Sequence, residues 1–229
     1  MPRPVAVVTG ASRGIGRAIA LRLSSGYDIV AVARASGELD TLTREIEGRG
    51  GSCRPRVADV TDAAAVQGAL GDVDADVLVN NAGVGALKPM LELTRDEWRR
   101  MVDVNFNALY DVTRIVLPRM MRRRSGHVVM IGSIAGRGAF VGGSCYAATK
   151  HAVSAFAECL MLEVRDEGVK VSVVNPGSVA THFSDRSSDE SWKLAPEAVA
   201  DAVASVLETP PNVLIHRLEV RTLTVPHKR

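Results

Sequence analysis

The chain has 229 residues, 46% of them apolar and 24% charged, with a formal net charge of +2. That composition suits one ordinary globular domain over 1–229, and near-neutral charge with only 4% aromatic residues argues against nucleic-acid binding. Cys53, Cys145 and Cys159 lack disulfide or zinc spacing and read as reduced thiols of a cytoplasmic protein, with neither a signal peptide nor an apolar run of membrane-spanning length.

In chain order, Val5 to Thr9 is a short apolar run that predicts a buried strand. Gly10-Ala11-Ser12-Arg13-Gly14-Ile15-Gly16 follows at once, and Ala18, Ile19, Ala20, Leu21 and Leu23 then set an apolar helical pattern. In the order strand, glycine turn, helix, the turn lets backbone approach a pyrophosphate, and the helix N-terminus offers unpaired N–H groups. Ile29 to Ala33 predicts a second strand. Where many dinucleotide folds carry an acidic residue for the ribose hydroxyls, this chain has Ala33 and then Arg34. Arg13 and Arg34 converging there suit a 2′-phosphate, and so NADP(H).

Ser36 to Glu47 predicts a helix and Ser52 to Ala58 a strand, placed at an edge by Pro55. Asp62 caps a helix from Ala63 to Leu70, and Asp76 to Asn80 leads into Asn80-Asn81-Ala82-Gly83. Thr94 and Glu97 have capping-box spacing and open a helix through Asn105 to about Arg124, with a kink expected at Pro118. Arg122, Arg123 and Arg124 at its end are accounted for by the helix dipole and solvent. Val128 to Ile131 is a fifth strand, ending at Ser133. Ala147 to about Glu167 is an apolar helix, Val169 to Val174 a sixth strand, and Pro196 to Leu207 a last helix. Val213 to Val220 is a final strand. Alternation of this kind predicts an α/β fold: one Rossmann-type, doubly wound parallel sheet with helices on both faces and a site at the carboxyl ends of the strands.

Tyr146 and Lys150 are four residues apart, which on a helix brings both side chains to one face. A phenol with a pKa of about 10 is a poor proton-transfer group at neutral pH. An ammonium about 4 Å away would lower it by roughly three units at an effective dielectric near 20. The expectation is therefore a Tyr acidified by its Lys. Cys145, His151 and His182 read as packing or surface residues, and no metal site is expected.

With these pieces laid out, the chain resembles the short-chain dehydrogenase/reductase family over nearly its full length. The resemblance rests on the run from Thr9 to Gly16, on Asn80-Asn81-Ala82-Gly83, on Asn105, Ser133, Tyr146 and Lys150, and on Pro176-Gly177 followed by Val179 and Thr181. It implies seven strands in the order 3-2-1-4-5-6-7, and hydride transfer between nicotinamide and a carbonyl/alcohol pair. Asn105, Ser133, Tyr146 and Lys150 would be the catalytic tetrad: Tyr146 the general acid/base, Ser133 a donor to the substrate oxygen, and Lys150 a tuner of Tyr146 that also holds the nicotinamide ribose. Asn105 would sit in a kinked part of its helix and hold a water that relays protons to Lys150. Gly10, Ser12, Arg13, Gly14, Ile15, Gly16, Arg34, Asp59, Val60, Asn81, Ala82, Gly83, Tyr146, Lys150, Pro176, Gly177, Val179 and Thr181 would bind the cofactor. The resemblance also implies a homotetramer, with a dimer second. The segment 182–194 is expected to be a mobile substrate lid.

Other readings compete. A cofactor-sensing binding protein would keep the fold without turnover, but has no need of the Tyr–Lys pair. An epimerase or dehydratase would use the pair within a larger substrate domain. A 3-oxoacyl-[acyl-carrier-protein] reductase would want a basic docking patch, for which the arginines near 119–124 are candidates.

Overall fold

The structure is a computed structural model that describes residues 2–181 and 191–225. Seven strands form a single sheet: β1 (Val5–Thr9), β2 (Asp28–Ala33), β3 (Cys53–Val57), β4 (Val77–Asn80), β5 (Gly126–Ile131), β6 (Val169–Pro176) and β7 (Arg217–Val220). Their order is β3-β2-β1-β4-β5-β6-β7, and every pairing is parallel. The predicted fold class and strand order are those observed, with Pro55 on the edge strand β3.

The inner strands β1, β2 and β4 are apolar almost throughout because both faces are covered, whereas the edge strands β3 and β7 carry arginines and Glu219. Val7, Val30, Val32, Leu78, Val128, Met130, Val171 and Val173 enter one core, packed under α3 (Ala63–Leu70), α5 (Ala108–Arg123) and α6 (Ser144–Val164). Ala6, Val8, Ile29, Ala31, Val77, Val79, Val129 and Val174 enter the other. There they meet α1 (Gly14–Leu23), α2 (Ser36–Gly48) and α7 (Pro196–Leu207). Alternate residues of one strand thus feed opposite layers, as the period of two requires. The sheet order reverses between β1 and β4, where the two crossovers diverge and leave a crevice above the strand ends.

The long helix predicted from Thr94 is present in three parts. Asp62 and the Thr94–Glu97 capping box start α3 and α4 (Arg95–Val102) as expected. A wide π turn at Asp103–Asn107 joins α4 to α5, and α5 then runs through Pro118 to Arg123. The departure from α geometry is therefore at Asn105, not at the proline. The last strand is shorter than expected. Val213 closes a turn onto Pro210 O, and the Lys170 ammonium binds Pro210 O and Val213 O, so pairing starts only at Arg217. Of the expected lid, residues 182–190 lie outside the described residues; Leu194 pairs with Val179.

Gly168 ends the α6 layer with φ +75°, and a Cβ there would stand 2.3 Å from Arg124 O. A side chain at this position meets both left-handed strain and a backbone clash. Gly168→Ala is expected to lower stability by about 1–3 kcal/mol, read as the shift of a urea unfolding midpoint; an unchanged midpoint would show that the turn relaxes freely.

Candidate active site

The crevice opens into a cleft of about 1600 Å³. Its floor is made by the residues that follow β1, β2, β4, β5 and β6. At the β1 end, Gly10 and Gly14 have φ +65° and +55°. The positions also have little room: a Cβ on Gly10 would stand 2.9 Å from Asn81 Nδ2, and one on Gly14 3.3 Å from Thr181 Cγ2. Helix α1 starts with no side-chain cap, whereas α3 and α4 are capped by their own sequence. Helices α2, α6 and α7 also lack such a cap, but the first residues of α1, Gly14 and Ile15, line the cleft, where an anion would meet unpartnered N–H groups.

Thr9 locks this turn to β4. Its hydroxyl accepts from Asn81 N at 3.0 Å and Ala82 N at 3.1 Å, while Asn81 Nδ2 donates to Thr9 O at 2.9 Å. Beside the turn, Arg34 pairs loosely with Asp59 at 3.6 Å. The hydrogen bond from Thr61 N, together with Arg34, holds the Asp59 carboxyl below its ordinary range despite partial burial. Arg13 lines the same end of the cleft.

At the other end, Ser133 follows β5 and faces α6. Its backbone N–H donates to Asn175 Oδ1 at 3.1 Å. Its Oγ accepts from Ala135 N at 3.1 Å, which leaves the hydroxyl proton for Tyr146, with which it hydrogen-bonds. Lys150 is buried, its Nζ donating to Ile131 O at 2.9 Å and standing 5.9 Å from the centre of the Tyr146 ring. Burial pushes the Lys150 ammonium down to about 8. Burial also raises the Tyr146 phenol, against which the Ser133 hydrogen bond works in part. The expected acidification of Tyr146 is thus absent from the free site. The cation is aimed at Ile131 O, and desolvation dominates both groups.

Asn105 lies in the π turn, an irregular part of the helix as the resemblance implied. Its Oδ1 accepts from Val84 N at 2.8 Å, and its Nδ2 donates to Val84 O at 3.0 Å and Thr149 Oγ1 at 3.1 Å. Both Nδ2 protons are used within the protein, and the side chain is not among the residues lining the cleft; it pins the 83–84 segment beside Lys150. Gly16 is likewise absent from the wall. A Cβ there would stand 2.3 Å from Gly10 O, so this glycine lets α1 pack onto the turn. The remaining predicted residues do line the cleft: Ser133, Tyr146 and Lys150 at one end; Gly10, Ser12, Arg13, Gly14, Ile15, Arg34, Asp59 and Val60 at the other; and Asn81, Ala82, Gly83, Pro176, Gly177, Val179 and Thr181 between. Two positioning residues were missed, Thr149 and Asn175, and Thr9, though it opens the glycine run, was given no role of its own. Thr9 and Asn175 are polar residues closing otherwise apolar strands, which was the available signal. Thr149, bonded to Tyr146 O at 2.8 Å, had none.

A family model described as short chain dehydrogenase matches residues 4–192. The chain is 33% identical over 239 aligned residues to the NADP-dependent 3-hydroxy acid dehydrogenase YdfG of Salmonella typhi, covering 96% of this chain and 95% of the relative. Among solved structures it is similar to an alcohol dehydrogenase from the archaeon Thermococcus sibiricus complexed with 5-hydroxy-NADP, with TM-score 0.90, 30% identity and coverage of 99% and 100% of the two chains. It is similar also to a 3-oxoacyl-[acyl-carrier protein] reductase from Brucella melitensis, with TM-score 0.88, 29% identity and coverage of 96% and 91%. A family match from the first strand to the far side of the cleft, joined to full-length likeness in sequence and fold, has one consequence: the chain belongs to the short-chain dehydrogenase family.

Proposed function

We propose that the protein is an NADP(H)-dependent oxidoreductase that interconverts a carbonyl and an alcohol, with Tyr146 as general acid/base. The observation that carries this reading is the hydrogen-bonded Ser133–Tyr146 pair on the cleft wall, with the buried Lys150 ammonium beside it. A dinucleotide fits the rest of the cleft. The uncapped start of α1 and the Gly10–Gly14 turn would hold the pyrophosphate, Asp59 and Val60 would border the adenine, and Pro176, Gly177, Val179 and Thr181 would hold the nicotinamide end. The bound nicotinamide supplies or accepts the hydride.

In reduction, the Tyr146 phenol donates its proton to the substrate oxygen as negative charge develops there. In oxidation it removes the proton from the alcohol. The Ser133 hydroxyl, already oriented by Ala135 N, donates a second hydrogen bond to that oxygen. The Lys150 ammonium stabilises the phenolate form as it appears, and its depressed pKa leaves it able to pass a proton onward near neutrality. Asn105 and Thr149 act through position: they fix Val84 and the first turn of α6, and with it Tyr146.

The choice of NADP(H) rests on Ala33, at the β2 end where many dinucleotide folds carry the acidic residue for the 2′-hydroxyl, and on the Arg13 and Arg34 guanidiniums in the same cleft. The likeness to NADP-dependent and NADP-complexed relatives supports it. The relative that is a 3-oxoacyl-[acyl-carrier protein] reductase keeps carrier-bound substrates as the second reading. The expected docking arginines do not favour it. Arg119 binds Gly71 O, Arg123 is tied to Asp74 and Ala75 O, and Arg124 to Glu167.

Three outcomes check these assignments. Tyr146→Phe is expected to cut kcat by about a thousandfold or more in NADPH-linked turnover while leaving NADPH binding, followed by fluorescence, nearly intact; substantial residual turnover would refute the role given to the phenol. NADPH is expected to exceed NADH in kcat/KM by about tenfold or more, with Arg13→Ala plus Arg34→Ala erasing the difference through KM. A wild-type preference for NADH would overturn the 2′-phosphate reading.

The third concerns stability. Lys150 titrates near 8 in the fold against an ordinary 10.5. Between these values the unfolded chain binds more protons, so stability rises with pH through that window, and below it the folded state carries the full cost. Lys150→Met removes that cost and also the bond to Ile131 O, for a net gain of roughly 1–3 kcal/mol at pH 7. The gain should shrink toward zero as pH passes 10, measured as denaturant midpoints of both proteins across pH. A variant no more stable than wild type at pH 7 would contradict it.

A further inference from the structure

The reactive end of the cleft carries more positive charge than proton and hydride transfer require. Arg137 follows the short turn Ile134–Gly136 and Arg221 follows β7; both line the cleft, and both bind Glu219. Arg137 Nη1 donates to Glu219 Oε1 at 2.9 Å, and Arg221 Nε donates to Oε2 at 3.1 Å. Each carboxylate oxygen thus has its own guanidinium. Partial burial of Glu219 would raise its carboxyl, but the two arginines outweigh this and hold it below its ordinary range. Glu219 is a positioning residue that fixes two arginines and neutralises one.

The placement is set by backbone. Gly136 packs against α6 so closely that a Cβ would stand 2.8 Å from Lys150 O, which seats Arg137 on the Ser133–Lys150 wall. Gly177 N donates to Val220 O at 2.7 Å, and a Cβ on Gly177 would stand 3.7 Å from Arg221 Cα, which seats Arg221 on the wall opposite the β6 end. The other carboxylates among the described lining residues, Glu38 and Asp59, lie on the Arg34 side. The arginine side chains remain 59% and 60% exposed, with N–H groups to spare after serving Glu219.

We infer that the substrate carries a carboxylate, held by Arg137 and Arg221 while its hydroxyl or carbonyl oxygen lies at Ser133 and Tyr146: a short hydroxy acid or the corresponding oxo acid. Guanidinium forks match a carboxylate's two oxygens, and a second anion there meets surplus positive charge that a neutral alcohol leaves unused. The apolar side chains of Val84, Leu87 and Phe140 border the same cleft and suit the carbon skeleton between the two polar ends. This inference rests on the hydride-transfer reading above.

The test is a matched set assayed on the full chain with NADP(H): 3-hydroxybutyrate, its methyl ester, and the 3-oxobutyryl thioesters of N-acetylcysteamine and of coenzyme A. The free acid is expected to be preferred over the ester, with its KM alone rising with ionic strength. The acid-to-ester ratio of kcat/KM should fall about tenfold or more in Arg137→Gln and Arg221→Gln, and recover in part in Arg137→Lys. Variants are compared only after NADPH fluorescence confirms a folded cofactor site. A ratio that does not move, or a wild-type preference for the ester, overturns the inference and leaves hydride transfer standing. An arginine effect confined to the coenzyme A thioester assigns the anion to a phosphate and overturns it as well. Absence of turnover on every member, in wild type and Tyr146→Phe alike, takes down the proposed function together with it.

Discussion

A buried ammonium sets the terms for the rest of this structure. Lys150 is 6% exposed and has one protein acceptor in hand, Ile131 O at 2.9 Å. A cation taken out of water against a single carbonyl is a standing cost, seen in the fall of its pKa to about 8. The fold keeps it there by close backbone approach. A Cβ on Gly83 would stand 3.9 Å from Lys150 Nζ, and one on Gly136 only 2.8 Å from Lys150 O. Asn105 holds the chain after Gly83 from a π turn that widens its helix at that point. Helix α6 therefore cannot withdraw the cation without unpacking three neighbouring segments. That is the expected cost of a preorganised site, in which stability is given up where chemistry needs charge.

Much of this arrangement could be read from the chain itself. Doubly apolar strands, glycine turns at strand ends, and the caps at Asp62 and Thr94 are local statements, and local physics settles them. The four-residue spacing of Tyr146 and Lys150 was equally local, and both do lie on one helix. What spacing could not supply was the sign of the pKa shifts. Helical geometry says that two side chains are neighbours, but Ile131, Gly83 and Gly136 decide how much water remains between them. The chain thus predicted the pair and mispredicted its electrostatics. The partner that Asn105 holds was not legible for a related reason: it is a backbone amide 21 positions upstream, and main-chain partners leave no compositional trace. The start of β7 moved because Lys170, on the neighbouring strand, captures the carbonyls of the preceding turn.

The substrate-side arginines were invisible for a topological reason. Arg137 and Glu219 are 82 positions apart and meet only because β7 pairs beside β6, which in turn pairs beside β5. Arg13 and Arg34 reach the cleft by the same logic, from the ends of β1 and β2. A parallel sheet collects at one rim whatever follows each strand, so residues scattered along the chain become a single surface. Here that surface has two cationic regions separated by an apolar and glycine-lined middle.

The two regions differ in how their charge is held, and the difference bears on what each can do. Arg34 pairs with Asp59 at 3.6 Å, a loose contact between two groups 62% and 41% exposed, which a phosphate can displace at little cost. Arg137 and Arg221 instead share the more enclosed Glu219 carboxylate, 24% exposed, and are fixed in direction by it. A loosely paired arginine adapts to a flexible, highly charged group. A pair that shares one carboxylate, each arginine on its own oxygen, is biased toward one direction, which would favour a defined distance between a substrate carboxylate and the reacting carbon. Fixed distance is what hydride and proton transfer demand, since both fall away steeply when the reacting atoms are displaced by an ångström. On this view Glu219 does not diminish the cationic end of the cleft; it converts diffuse attraction into geometry, at the place where Ser133 and Tyr146 need the substrate oxygen held still.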